Sequence, residues 1–360
     1  MDIPIQLHNL IFLYISDINK KELFEILDKE TYNGFIENKI KVRLYQYYEI
    51  NQFKKSKFFI SKKIIVNSNE QLKKLKNLKK YDLYKHIIGI KYDYYFNEKV
   101  LYLPKKIQFL TFRYKFSQSI DNLPKSIKYL SFEESDIKIF NNLPEKLEVL
   151  KIYCSCFRKC DIQIKNLPKS LKILVLPDKF DKDIDFLPDN LQHLNLGNQF
   201  NSKIKSFPSK LTHLKFGYHF NQEIQIPDTI THLELGHYFN QKINIPSAIR
   251  HLEFGYHFNQ ELDNLPDSMQ VLRFGNRFNQ KINKLPLNLT RLIFGKRFNQ
   301  ELPQLPEKLV HLEFGKYFNQ DLGKISKNIN YILFKNSCVK RKFDEIEIYY
   351  GFSKNKLRFK

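Results

Sequence analysis

Histidine and glutamate stand two residues apart on three short segments: His232 with Glu234, His251 with Glu253 and His311 with Glu313. In an extended strand, residues i and i+2 share a face, so each pair would present an imidazole beside a carboxylate. Two such strands about 4.8 Å apart would gather two imidazoles and two carboxylates, a donor set for a divalent metal or metal-assisted hydrolysis. The plainer reading is a solvated ladder of cross-strand His–Glu hydrogen bonds. A second cluster, Cys154, Cys156 and Cys160, offers thiols to a soft metal, but C-x-C-x-x-x-C is not a usual zinc spacing and Cys338 lies far along the chain. There is no phosphate loop, no nucleophile elbow and no His-Glu-x-x-His helix. The expectation is a protein that is not an enzyme, with no catalytic residue, no cofactor and no metal.

The histidines already have an explanation, because they keep time with a repeat. A phenylalanine followed by Asn recurs at Phe200, Phe220, Phe239, Phe258, Phe278, Phe298 and Phe318. Glycine recurs at Gly197, Gly217, Gly236, Gly255, Gly275, Gly295 and Gly315. One copy reads Leu289-x-x-Leu292-x-Phe294-Gly295-x-x-Phe298-Asn299-Gln300, closing at Leu305-Pro306. A unit this short cannot enclose a core, so it must bury its apolar face against its neighbours. Leu312 and Phe314 point one way and Glu313 the other, so stacked copies would form a parallel sheet with one short strand per coil. Glycine follows the strand, where positive φ costs it little. Asn can satisfy backbone groups at the bend, and in register its copies would form a ladder. Proline ends the return leg and leaves no room for a convex helix. Eleven of the fourteen prolines, Pro104 to Pro306, mark this beat.

The pattern resembles FNIP repeats, a short class within the leucine-rich-repeat family, and the name is legible in Phe239-Asn240, Ile243 and Pro246. The expected fold is a mainly β solenoid with little convex helix and a small α-helical N-terminal head. Thirteen units are read over 87–338, with residues 51–86 as connector and cap and 339–360 as a C-terminal cap.

The head, 1–50, carries Ile3-Pro4, an apolar face of Leu7, Leu10, Ile11 and Tyr14, and Asp17 before a second amphipathic stretch. This order resembles an F-box, a head that accompanies FNIP arrays. The resemblance implies that residues 3–45 dock a ubiquitin-ligase adaptor through Pro4, Leu7, Ile11, Phe12, Tyr14 and Ile15. The array would then capture targets for a cullin-type ligase. F-boxes commonly carry a Trp in the third helix; this chain has none, and Tyr32 or Phe35 would stand in. A helical cap on the first coil is the alternative, since solenoids need one.

The outward strand positions are the candidate partner-binding residues. They read His193, His213, His232, His251, Val271, Arg291 and His311 before the central Leu, and Asn195, Lys215, Glu234, Glu253, Arg273, Ile293 and Glu313 after it. Arg273, Arg277, Arg291 and Arg297 fall close together in a chain with only ten arginines, and suggest a patch for an acidic protein surface. Tyr, His, Lys and Arg after the glycines, from Tyr218-His219 to Lys316-Tyr317, extend it along one rim. Net charge is +22, which also admits polyanion or nucleic-acid binding. The lysines are scattered rather than gathered in a stripe, which argues against nucleic acid. With no run of about 20 apolar residues and no signal peptide, the chain is expected inside the cell and off the membrane.

Overall fold

The computed structural model describes residues 47–48, 62–77, 84, 87–114, 116–133, 142–153, 166–322, 328–335 and 348–350. All belong to the unit Tyr47–Lys360. The F-box-like segment and all four cysteines lie outside the described residues.

The strands are β1 (Tyr47–Tyr48), β2 (Lys62–Val66), β3 (Ile87–Tyr92), β4 (Phe109–Phe112), β5 (Tyr129–Glu133), β6 (Val149–Tyr153), β7 (Ile173–Val175) and β8 (His193–Asn195). They continue as β9 (His213–Lys215), β10 (His232–Glu234), β11 (His251–Glu253), β12 (Val271–Arg273), β13 (Arg291–Ile293), β14 (His311–Phe314), β15 (Tyr331–Phe334) and β16 (Ile348–Tyr350). Together they form one sixteen-stranded parallel sheet whose spatial order is the chain order. Fifteen steps of about 4.8 Å give roughly 72 Å along the sheet. The pairing takes in β1 and β2 ahead of the thirteen units and β16 after them. The helix among the described residues is α1 (Asn69–Asn77), whose Leu72 is fully buried. The buried Asn69 ties α1 to the first coil: its amide donates to Glu98 Oε2 and the Lys99 carbonyl, and accepts from the Leu101 N–H.

The coils of β4 to β14 each begin with a proline-closed turn. Leu309 N–H donates to the Pro306 carbonyl at 3.0 Å, so the hydrogen-bonded strand starts at His311, two residues after the Leu that opens the repeat. Inward residues then fill two phenylalanine columns. The spine rings stack from Phe180 to Phe318, with successive centroids such as Phe258–Phe278 at 6.1 Å. A strand-end column runs beside it, with Phe274–Phe294 at 5.3 Å, and the two meet within a coil, as in Phe294–Phe298 at 3.7 Å. Each buried ring contributes about 1.5–3 kcal/mol. The phenylalanines that precede Asn thus line up coil over coil.

The asparagine ladder also forms. Asn240 N–H donates to Asn221 Oδ1, Asn259 to Asn240, and Asn279 to Asn259, all at 2.8–2.9 Å. The following glutamines brace it, with Gln260 Nε2 donating to the Asn240 carbonyl at 3.0 Å.

The glycine column requires a different reason from the one expected. None of the seven sits at positive φ. A Cβ on Gly255 would lie 1.8 Å from the carbonyl oxygen of Gly236, and one on Gly275 would lie 1.8 Å from that of Gly255. Successive coils approach so closely there that no side chain fits.

The earlier coils solve the same bend differently. Asp93, Arg113, Glu133 and Tyr153 occupy the glycine position, and β5 and β6 run five residues where β10 and β11 run three.

Candidate interaction surface

Strict register sets like against like on the outward face. His193, His213, His232 and His251 are successive Cα partners, as are Lys215, Glu234, Glu253 and Arg273. The imidazoles stack on one another, with centroids 4.0 Å apart for His193–His213, 4.1 Å for His213–His232 and 5.8 Å for His232–His251. His311 stacks on Tyr331 at 4.3 Å.

Threonines hold the rings. Thr212 Oγ1 lies 3.1 Å from the Gln192 carbonyl and 2.9 Å from His213 Nδ1. Thr231 and His232 repeat the arrangement. The Nε2 of His213 is buried without a hydrogen-bond partner among the described residues. Burial disfavours the charged form, pushing His193 down to about 4, His213 to about 3 and His232 to about 4, and lowering His251. The column is neutral at pH 7.

The carboxylates are held by the neighbouring cations. Glu234 pairs with Lys215, and Glu253 lies 3.5 Å from Arg273. Glu313 is a hub: His311 Nε2 is 2.6 Å away, Arg291 3.6 Å and Lys335 3.6 Å. The His311 hydrogen bond, with Lys335 and Arg291 nearby, holds its carboxyl below the usual range. Cross-strand His–Glu bonding is therefore not the pattern. Imidazole meets imidazole because a parallel register repeats each position, while the adjacent Glu234 and Glu253 each find a cation on the coil at their outer side; the His311–Glu313 bond lies within one strand. Among the described residues, no group of three or more His, Cys, Asp or Glu is placed to hold a metal.

Beyond the glycines the chain forms a rim with its own backbone ladder. Tyr238 N–H donates to the Tyr218 carbonyl, His257 to His237, Arg277 to Tyr256 and Arg297 to Asn276, at 2.9–3.0 Å. This ladder fixes two side-chain columns. In one, Tyr218 stacks on His237 at 4.2 Å and His237 on Tyr256 at 4.8 Å. In the other, His219 and Tyr238 lie 5.4 Å apart and Tyr238 and His257 4.7 Å. Arg277 sits over the Tyr256 ring at 5.9 Å. Tyr218, Tyr238, Tyr256 and Tyr317 are all exposed. Between rim and sheet runs a trough of about 470 Å³, floored by glycine backbone and walled by Lys215, Glu234 and Glu253 on one side and Tyr218 and His237 on the other.

The twelve sequence-predicted partner residues thus separate into two settings. The sheet set (His193, His213, His232, His251, His311, Glu234, Glu253, Glu313, Arg273 and Arg291) is tied into stacks and ion pairs, while Arg277 and Arg297 stand on the rim. Sequence reasoning passed over Lys91, Glu133 and Arg113. Lys91 Nζ reaches Glu133 at 3.0 Å across β4, and Arg113 meets the same carboxylate at 3.3 Å. Only their place at and beside the degenerate glycine position could have flagged them.

The family model for the FNIP Repeat matches residues 161–199, 200–238, 220–257, 239–277 and 278–317. No curated protein matches the chain. Among solved structures, a circular leucine-rich-repeat protein, CroV588, is similar at 27% identity and a TM-score of 0.45, over 81% of this chain and 55% of that one. YopM from Yersinia enterocolitica WA-314 is similar at 20% identity and a TM-score of 0.43, over 69% of this chain and 64% of that one. The chain spans less than two thirds of either. The FNIP repeat is thus matched over residues 161–317, and the strand-per-coil geometry continues on both sides of it.

Proposed function

We propose that the protein is an interaction scaffold whose array binds another protein through the sheet face and rim of β8 to β14. One observation carries this reading. Inward and turn positions repeat the same Leu, Phe, Gly and Asn from coil to coil, while the outward positions change from His and Tyr to Arg and Lys. A fixed frame that displays a varied row of side chains is what a binding solenoid needs. Exposed tyrosine beside arginine is the composition that dominates protein-interface energetics. Nothing about the frame calls for catalysis.

The finer reading rests on the resemblance of residues 3–45 to an F-box. In it, Pro4, Leu7, Ile11, Phe12, Tyr14 and Ile15 dock a ubiquitin-ligase adaptor, and the array presents a target to a cullin-type ligase. Affinity capture from cell lysate on the immobilised full chain tests both levels. The scaffold reading expects a protein retained by the native chain and lost from Tyr218→Ser/Tyr238→Ser/Tyr256→Ser. Retention unaffected by that triple change, or abolished by nuclease, overturns it. The ligase reading expects an adaptor that disappears when residues 1–50 are deleted; its absence from the native chain's retained proteins ends that reading.

A further inference from the structure

The outward cations are not equivalent, and the difference points to what the rim binds. On the sheet, Lys215, Arg273, Arg291 and Lys335 each have a glutamate within reach: Glu234, Glu253, Glu313 and Glu313 in turn. On the rim, Arg277, Lys296, Arg297 and Lys316 are exposed, and none has a carboxylate within ion-pair distance among the described residues. Arg277 and Lys316 lie over Tyr256 and Tyr317 instead. Four uncompensated positive charges thus occupy three successive coils, spanning about 10 Å at the strand spacing. A cluster of this kind is destabilised by its own repulsion until an anion meets it.

We propose that this rim segment is the docking site for an acidic, extended peptide segment of the partner protein. The proposal rests on the scaffold reading and names the chemistry of its partner. Three or four extended residues span about 10 Å, so a short run of Asp or Glu matches the four cations. Arg277 and Arg297 offer planar forks suited to carboxylates. On the neighbouring coils Tyr218, His237 and Tyr256 cover one another at interplanar angles of 16° and 13°, and on the segment itself Lys316 lies over Tyr317. Nucleobases bind such platforms by stacking on open ring faces, and these faces are partly taken. The sheet lysines and arginines that would extend a polyanion track are paired with glutamate. Acidic peptide is therefore favoured over nucleic acid.

The test is fluorescence anisotropy on the full chain with a labelled oligo-glutamate peptide and a labelled single-stranded oligothymidylate of equal charge at moderate salt. The expected result is that the peptide binds, and that Arg277→Glu/Arg297→Glu weakens it by about tenfold or more. Lys105→Glu/Lys106→Glu, an identical charge change elsewhere on the array, should weaken it by less than about twofold. Arg277→Ala/Arg297→Ala should give an intermediate loss, which guards against a misfolded charge-reversal variant. No peptide binding, equal loss in both charge-reversed variants, or tighter binding of the oligonucleotide each overturns the proposal. If peptide binding fails while rim-dependent protein capture persists, the acidic partner is wrong and the scaffold stands. If both fail, both fall.

Discussion

Coils β3 to β6 and coils β8 to β14 build the same sheet from the same inward residues, yet they turn the corner after the strand in two ways. In the later coils the strand stops after three or four residues, and glycine lets each backbone press against the one before it. In the earlier coils Arg113, Glu133 and Tyr153 occupy that corner, and β5 and β6 carry the strand through it to residue five. The longer strand puts Glu133 on the outward face, where it joins Lys91 and Arg113 across β4. The outward Thr111, Ser131 and Lys151 are buried there, whereas of their later counterparts Lys215 and Arg273 are exposed, Asn195, Glu234, Glu253 and Glu313 are half-buried and only Ile293 is buried. The sheet face is thus more open beside the glycine corner than in the earlier coils.

Breaking what both regions share should cost most. Phe258→Ala and Phe116→Ala each empty a fully buried spine position, and each should lose about 3–5 kcal/mol in chemical denaturation. Equal losses would show that the spine is indifferent to the corner design. The corner itself should separate the regions. Gly275→Ala forces a Cβ to within 1.8 Å of the Gly255 carbonyl and should cost about 3 kcal/mol. Arg113→Gly in the earlier coils should cost less, about 1–2 kcal/mol, since it removes a half-exposed ion pair and a contact over the Tyr94 ring but forces no backbone apart. Near-neutral Gly275→Ala would refute the close approach.

A smaller effect, about 1–3 kcal/mol, is expected for Asn259→Ala, which leaves the Asn279 N–H without its 2.8 Å acceptor. The last is a pH effect, spread over several groups of the later coils. His193, His213 and His232 are held neutral with values near 3 to 4, against about 6.5 in the unfolded chain. Between those limits the unfolded chain binds more protons, so stability is full above pH about 6.5 and falls as pH drops toward 4. Carboxylates such as Glu313, with a lowered value, lose their contribution only below their ordinary range near 4.5. The slope of Tm between pH 6.5 and 5 should therefore flatten in His213→Phe, which keeps a stacked ring and removes a titrating one. An unchanged slope would mean the imidazoles are not buried as described.

Much of this was legible in the residues. The beat of Leu, Phe, Asn and Pro specified a strand per coil, the stacked spine and the asparagine ladder, because each is a local pattern repeated in register. The strand-face partners were harder. His232 and Glu234 look like one site in the sequence, but parallel stacking sends each to its own column, and only the neighbouring coils reveal that Glu234 belongs to Lys215. The glycine's role was misassigned for the same reason: 1.8 Å is a distance between coils, invisible within one. Likewise the repeat places Arg273 on the strand and Arg277 on the rim, but only the packing of neighbouring coils shows the first beside Glu253.

The central claim is that the open face of the later coils is where another protein is held. A photo-crosslinking residue placed singly at Tyr238, Arg297, Phe186 or Leu287 in the full chain, and irradiated in lysate, tests it directly. All four positions are exposed; the first two lie on the rim and the last two on the return legs. Protein adducts from Tyr238 and Arg297 but not from Phe186 or Leu287 are the predicted result. Adducts confined to the return legs, or nucleic acid in place of protein at the rim, would contradict it.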